Sequence, residues 1–360
     1  MATVHDFMRY VVDRKGSDLH MKAGGPPYVR INGTLHATDF PAMTVSDCER
    51  AALDIMTDDQ AEHFKTRGQV DFAFSEPGLG RFRFNVFLQR GSVALAARRV
   101  LPGSPGFESL GLPTVVRSMA EESRGLILVT GPTSSGKTTT TAAMINHINS
   151  TRRCHILTIE DPIEILHQDR SAIVNQREIG QDAPDFLQAL RAAMRQDPDV
   201  IFVGEMRDPE TVTAALQAAE TGHLVISTLH TRDVTETVNR IIDFFEPSQQ
   251  TQIRVSLAGS LRGVVSQRLV PSADARGLVP AVEVLVMNGR IRDLILDSEQ
   301  THMIHDIVAE SGFYGMQTFD QALLELYRRK VVTLDDALHA SSSPHDFQLA
   351  LRQEGLQPVS

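Results

Sequence analysis

Residues 125–148 read GLILVTGPTSSGKTTTTAAMINHI. Leu126 to Val129 is an uninterrupted apolar run. Gly131-Pro-Thr-Ser-Ser-Gly136-Lys137-Thr138 then fits G-x-x-x-x-G-K-[S/T] at every position, and a helix-compatible stretch follows from Thr139 to Ile148. Chance matches to this pattern occur, so the order of elements decides its meaning. Strand, small-residue loop and helix is the order that binding an anion requires. The loop backbone aims several N–H groups at one point, and the helix adds the positive end of its dipole. In such a loop Lys137 reaches the β and γ phosphates of a nucleotide and the Thr138 hydroxyl binds Mg²⁺.

Three further apolar runs lie downstream: His155-Ile-Leu-Thr-Ile159, Asp199-Val-Ile-Phe-Val203 and His223-Leu-Val-Ile-Ser-Thr228. Helical patterns separate them; before the third strand Phe186, Leu187, Leu190, Ala193 and Met194 share one face. Near-continuous apolar strands alternating with helices predict a parallel sheet covered on both sides. After about residue 250 the strand signal fades into helical segments, including Phe319 to Tyr327.

The first hundred residues have a different texture. Asp6 to Arg14 reads as a short helix, Tyr28 to Ile31 as a strand entering an Asn32-Gly33 turn, and Ser46 to Phe64 as helix with Ser46 as N-cap. Val70 to Phe74, Arg81 to Phe87 and Ser92 to Val100 read as strands. The second of these alternates polar and apolar side chains, the period of a half-buried strand. Leu101 to Pro113 is rich in proline and glycine. The expected organisation is an α+β domain over 1–100, a linker over 101–113 and an α/β ATPase domain over 114–360, with a helical C-terminal part.

Composition narrows the function. The chain has 360 residues, 42% hydrophobic and 22% charged, with a formal net charge of −10. That charge argues against a coat for nucleic acid, and the absence of tryptophan with only four tyrosines gives few base-stacking platforms. Cys48 and Cys154 are the only cysteines; they form no CxxC pair, so a thiolate zinc site is not expected. The N-terminal stretch lacks the apolar core and cleavage site of a secretion signal. No run reaches 18 apolar residues, so a membrane role must come through a partner.

Ligands of open α/β sheets sit at the C-terminal ends of the strands. The second strand exits into Glu160-Asp161-Pro162-Ile163-Glu164, the third into Gly204-Glu205-Met206-Arg207-Asp208, and the fourth, which starts at His223, into His230-Thr231. Glu160, Glu164 and Glu205 are the candidate catalytic carboxylates, and His223 and His230 bracket one strand as candidate γ-phosphate sensors.

Four segments now carry a resemblance: Gly131 to Thr139; Thr158-Ile-Glu-Asp-Pro-Ile-Glu164; Asp197-Pro-Asp-Val-Ile-Phe-Val-Gly-Glu-Met-Arg-Asp208; and Glu220-Thr-Gly-His-Leu-Val-Ile-Ser-Thr-Leu-His-Thr231. In order and spacing they resemble the Walker A, Asp box, Walker B and His box of the secretion ATPases. Within that superfamily the chain resembles the type IV pilus retraction ATPases of twitching motility (PilT/PilU-like). Gly16-Ser-Asp-Leu-His-Met21, Gly25-Pro-Pro-Tyr-Val-Arg-Ile-Asn-Gly33, Arg81 to Phe87 and Gly315-Met-Gln-Thr-Phe-Asp320 extend it over nearly the whole chain. The resemblance implies a PAS-like N-terminal domain, a RecA-like ATPase domain and a homo-hexamer that retracts pili. It implies ATP with Mg²⁺, held by Gly131, Pro132, Thr133, Ser134, Ser135, Gly136, Lys137, Thr138 and Thr139. Glu164 takes the place of the general base with Glu160 beside it, Glu205 that of the acid supporting the metal, and His223 and His230 those of the His box. Arg195 and Arg240 stand where arginines act on nucleotide near a subunit boundary. The implied partners are an inner-membrane pilus platform protein and a paralogous retraction ATPase, at the cytoplasmic face of the membrane. The alternatives are a pilus-assembly or type II secretion ATPase, and a nucleotide-gated ring adaptor with little turnover.

Two stretches depart from the family pattern. Ser134 replaces a frequent glycine, which a negative φ would accommodate. Arg290-Ile-Arg-Asp-Leu-Ile295 replaces the family's Ala-Ile-Arg-Asn-Leu, and Ser343-Pro-His-Asp-Phe347 is similar to the accessory paralogue.

Overall fold

The computed structural model describes residues 2–103 and 105–356. Ser104 of the expected linker and the last four residues of the expected ATPase domain lie outside them. By contact the chain forms two compact units. One holds the residues up to Pro102 together with Glu164–Leu166; the other holds Gly103–Ile163 and everything from His167 on.

The first unit is an antiparallel sheet with helices. Its strands are β1 (Asp18–Lys22), β2 (Tyr28–Ile31), β3 (Thr34–Ala37), β4 (Gln69–Glu76), β5 (Gly80–Gln89) and β6 (Ser92–Pro102), in the order β3-β2-β1-β6-β5-β4. The alternation in β5 is what it promises: Phe82, Phe84 and Val86 are buried and join Val4, Phe7, Met8 and Leu19 in one core. The Asn32-Gly33 turn joins β2 to β3 with both residues at positive φ. The helix expected over Ser46–Phe64 is instead two, Val45–Leu53 and Asp58–Arg67. Ser46 is not the N-cap. Thr44 caps the first helix in a reciprocal box with Asp47, and Thr57 restarts the second with Gln60. A capping box satisfies two orphan donors at a helix start, so Thr57 and Gln60 define a new beginning where apolar spacing alone reads continuity.

The second unit is built on a sheet of β7 (Gly125–Thr130), β8 (His155–Glu160), β10 (Ile173–Glu178), β11 (Val200–Val203), β12 (Leu224–Leu229), β13 (Leu261–Pro271) and β14 (Leu278–Val286). Between β8 and β10 the two-residue β9 (Ile165–Leu166) belongs to the first unit, pairing in parallel with Leu101 and Pro102 of β6. The sheet order is β10-β8-β11-β12-β7-β13-β14, all parallel except β14. Every residue of β7, β11 and β12 is buried. One face packs under the helices Thr114–Ala120 and Lys137–Thr151. The other carries the helices Phe186–Ala193, Pro209–Glu220, Val234–Asp243 and Pro247–Ser260. A small separate core around Phe319, Leu323 and Phe347 lies among the C-terminal helices.

The strand signal expected to end near residue 250 does not end there: β13 and β14 follow. Both are interrupted by buried polar residues, Ser266 and Gln267 in β13 and Glu283 in β14, which break the apolar runs by which the other strands are recognised. Among the described residues no helix is long and apolar enough to cross a membrane.

Candidate active site

The central strand β7 ends at Thr130 and hands the chain to the loop Gly131–Gly136. Gly131 has φ 143°, and a Cβ there would lie 2.4 Å from the Gln267 carbonyl and 2.5 Å from Ser135 Oγ. Only glycine brings the strand end this close to β13. Gly136, at φ 92°, caps the 15-residue helix Lys137–Thr151 without any side-chain bond, so the first-turn amides stay available to an anion. Lys137 is buried, and its Nζ donates to the Gly131 and Pro132 carbonyls at 2.7 and 2.8 Å. Pro132, Thr133, Ser134 and Thr138 are exposed along the loop, Ser135 is buried, and Thr139 is half-buried. Ser134 does not take the negative φ expected of it. It sits at φ 64°, a left-handed turn of backbone that costs a side chain about 1 kcal/mol over glycine.

Polar groups gather at the same end of the sheet. Glu160 closes β8, nearly buried, and its Oε1 accepts from Thr158 Oγ1 at 2.6 Å and from Gln176 Nε2 at 3.0 Å. Glu205 follows β11 after Gly204, whose tight approach to the Ile159 carbonyl leaves no room for a side chain without adjustment. The Glu205 carboxylate is paired with Arg207 and stands 3.6 Å from His230 Nε2. That pairing raises the Arg207 guanidinium above its ordinary pKa. Glu164 is exposed, immediately before β9, and groups with the first unit.

The fold sets His223 and Arg195 at the opposite end of the sheet, where β12 and β11 begin. His223 precedes β12, its Nδ1 2.9 Å from the Ala218 carbonyl, and the six-residue strand puts it roughly 20 Å from His230. Arg195 lies in the connection between the helix Phe186–Ala193 and the start of β11, bonded to the Arg191 carbonyl at 3.2 Å. Arg240 is exposed on the helix Val234–Asp243, its guanidinium 4.8 Å from the Phe244 ring centre.

Several residues escaped the motif reading. Thr130 Oγ1 lies 2.7 Å from Ser266 Oγ and 3.4 Å from Thr237 Oγ1, which lies 2.7 Å from Thr231 Oγ1. All four are buried, so a line of hydroxyls runs from the strand end before the loop to the turn after His230. Glu283 Oε2 accepts the Val234 amide at 2.9 Å, holding the start of the helix Val234–Asp243. Burial pushes its carboxyl up to about 7, against the pull of that amide, while Asp233 adds to the rise and Arg268 opposes it. The only sequence signal for these residues is polarity inside strands and a threonine before the loop.

A family described as type II/IV secretion system protein matches residues 111–287. The type IV pilus retraction ATPase PilT of Pseudomonas aeruginosa is 39% identical over 96% of this chain and 99% of its own. The type IV pilus ATPase PilU of the same organism is 38% identical over 96% and 90%. A solved structure, the pilus retraction motor PilT with bound ADP, superposes with a TM-score of 0.88 at 46% identity, covering 97% of this chain and 100% of the other.

Proposed function

From the premise that this chain belongs to the type II/IV secretion system ATPases, we propose that it is the hexameric motor that couples ATP hydrolysis to type IV pilus retraction. The observation that carries the reading is the loop Gly131–Gly136, with Lys137 buried behind it, at the same sheet end as Glu160, Glu205 and His230. The chain is an ATP hydrolase, and the loop with the first turn of Lys137–Thr151 is its nucleotide cradle. Transfer of a phosphoryl group needs little covalent help from the protein. It needs the phosphate held in place and its developing charge neutralised.

Lys137 gives up the Gly131 and Pro132 carbonyls and places its ammonium on the β and γ phosphates. Thr138, exposed at the helix start, and Glu205, an oxygen donor at the neighbouring exit, would hold Mg²⁺, which prefers such hard ligands. Bound there, the ion would supply charge neutralisation on the phosphate oxygens. His230 stands beside Glu205 at 3.6 Å, within reach of the same phosphate end. Glu160 is oriented by Thr158 and Gln176, and Glu164 is the base that takes a proton from the attacking water. Arg195, Arg240 and His223 serve the nucleotide of a neighbouring subunit; guanidinium groups delivered across a boundary neutralise charge in the transition state. The force passes to a membrane-embedded pilus platform protein, with a paralogous ATPase as a second partner on the cytoplasmic face.

Steady-state ATPase activity measured against protein concentration, with light scattering in parallel, tests the assembly. Activity per subunit rises as a six-subunit species forms. Equal turnover by a monomer removes the ring and its arginines from the mechanism.

A further inference from the structure

Two buried polar atoms at the phosphate loop have no hydrogen-bond partner among the described residues: Ser135 Oγ and Gln267 Oε1. Ser135 is 3% exposed and Gln267 1%. Their positions follow from the strands. In β13, Ser266 stands opposite Thr130, so Gln267 is level with Gly131, and its carbonyl is the atom that forbids a side chain there. Side chains alternate along a strand. Ser266 turns toward Thr130 and Thr237, so Gln267 turns to the other face, that of Val265 and its cross-strand neighbour Val282, under the helix Lys137–Thr151. Leu269, two residues on and on that same face, would touch a Cβ on Gly136 at 3.6 Å. The Gln267 side chain therefore lies beneath the loop between its two glycine ends, where Ser135 also points.

A buried polar group left unpaired is costly, and a protein that keeps two at one place has a use for them. The use is visible in what holds the loop now. Lys137 donates to the Gly131 and Pro132 carbonyls, and a nucleotide that draws that ammonium away leaves the Gly131 carbonyl bare, while the Pro132 carbonyl keeps the Ser135 amide at 3.3 Å. A carboxamide carries both donors and an acceptor. We propose that Gln267 is a positioning residue of the phosphate loop: when Lys137 turns to the phosphates, Gln267 donates to the carbonyl that Lys137 leaves and accepts the Ser135 hydroxyl. The inference rests on the reading of Gly131–Thr139 as the nucleotide cradle.

Stability without nucleotide and affinity for nucleotide then move in opposite directions. In Gln267→Leu the unpaired amide is gone, so the melting temperature of the nucleotide-free protein holds or rises. The affinity for a fluorescent ADP analogue falls about tenfold, the worth of a buried hydrogen bond, and the melting shift produced by ADP shrinks. Ser135→Ala weakens binding several-fold, and the double variant is no weaker than Gln267→Leu alone, because the two side chains act as one pair. Unchanged ADP affinity in Gln267→Leu overturns the proposal. So does a loss of melting temperature and affinity together, which marks a packing residue. Should Gln267→Leu not fold, Ser135→Ala decides: native ADP affinity there overturns the proposal as well. Lys137→Ala separates the premises. If it binds ADP like the native protein, the cradle reading itself is lost; if it loses ADP while Gln267→Leu keeps it, only the hand-over is wrong.

Discussion

Lys137 is held by two carbonyls of its own loop, so nucleotide must exchange those bonds for phosphate oxygens before hydrolysis can proceed. Lys137→Ala removes the charge that meets the β and γ phosphates; kcat falls by at least about a hundredfold in a steady-state phosphate-release assay, and retained activity would place the chemistry at another loop. Glu283 makes a different kind of prediction. A glutamate in the unfolded chain titrates near 4.5, whereas burial pushes the folded carboxyl up to about 7, with Asp233 and Asp320 adding to the rise and the Val234 amide and Arg268 opposing it. Below pH 4.5 both states are protonated and nothing is lost. Between the two values the folded state keeps a proton that the unfolded chain has released, so stability falls as pH rises, and above about pH 7 the full penalty applies. That penalty is on the order of 3 kcal/mol. Glu283→Gln keeps an acceptor for the Val234 amide and should raise stability at pH 8 while changing little at pH 4.5. Denaturant titrations at the two pH values check it, and an equal effect at both would remove the buried charge as the cause.

Among the elements, Thr57 is the sharpest case of a local signal outweighing a periodic one. Its box with Gln60 starts the helix Asp58–Arg67, and Gly68 at φ 72° ends it. Thr57→Ala should cost about 1 kcal/mol, read as a lower denaturation midpoint, with Thr57→Ser restoring it; an unchanged midpoint means the helix is held by packing alone. The elements also explain what could be read beforehand. β7, β8, β11 and β12 are legible because strands buried on both faces are continuously apolar. The exits that follow them put Glu160, Glu205 and His230 beside the loop simply because parallel strands end on one side. β13 and β14 were hidden because Ser266 and Glu283 face partners more than a hundred residues away or at a distant helix start, and Gln267 is buried polar beside the phosphate loop, none of which a local pattern records. His223 and His230, adjacent in the reading of one box, stand at opposite ends of β12, since a strand carries its two ends apart by its full length.

For the molecule as a whole, a net charge of −10 and a surface without tryptophan predict indifference to nucleic acid. ATPase activity should change less than about twofold when single-stranded DNA is added at low salt; strong stimulation would move the chain among nucleic-acid motors. The two units also share their backbone in an unusual way. The chain passes from one to the other after Pro102, returns for Glu164–Leu166 and leaves again. A gene cut between codons 102 and 103 therefore cannot yield two finished halves. The first fragment loses the parallel partner of Leu101 and Pro102, and the second carries β9 with nothing to pair. Exchange of N-terminal halves between relatives has to transplant those three codons as well, and with them Glu164.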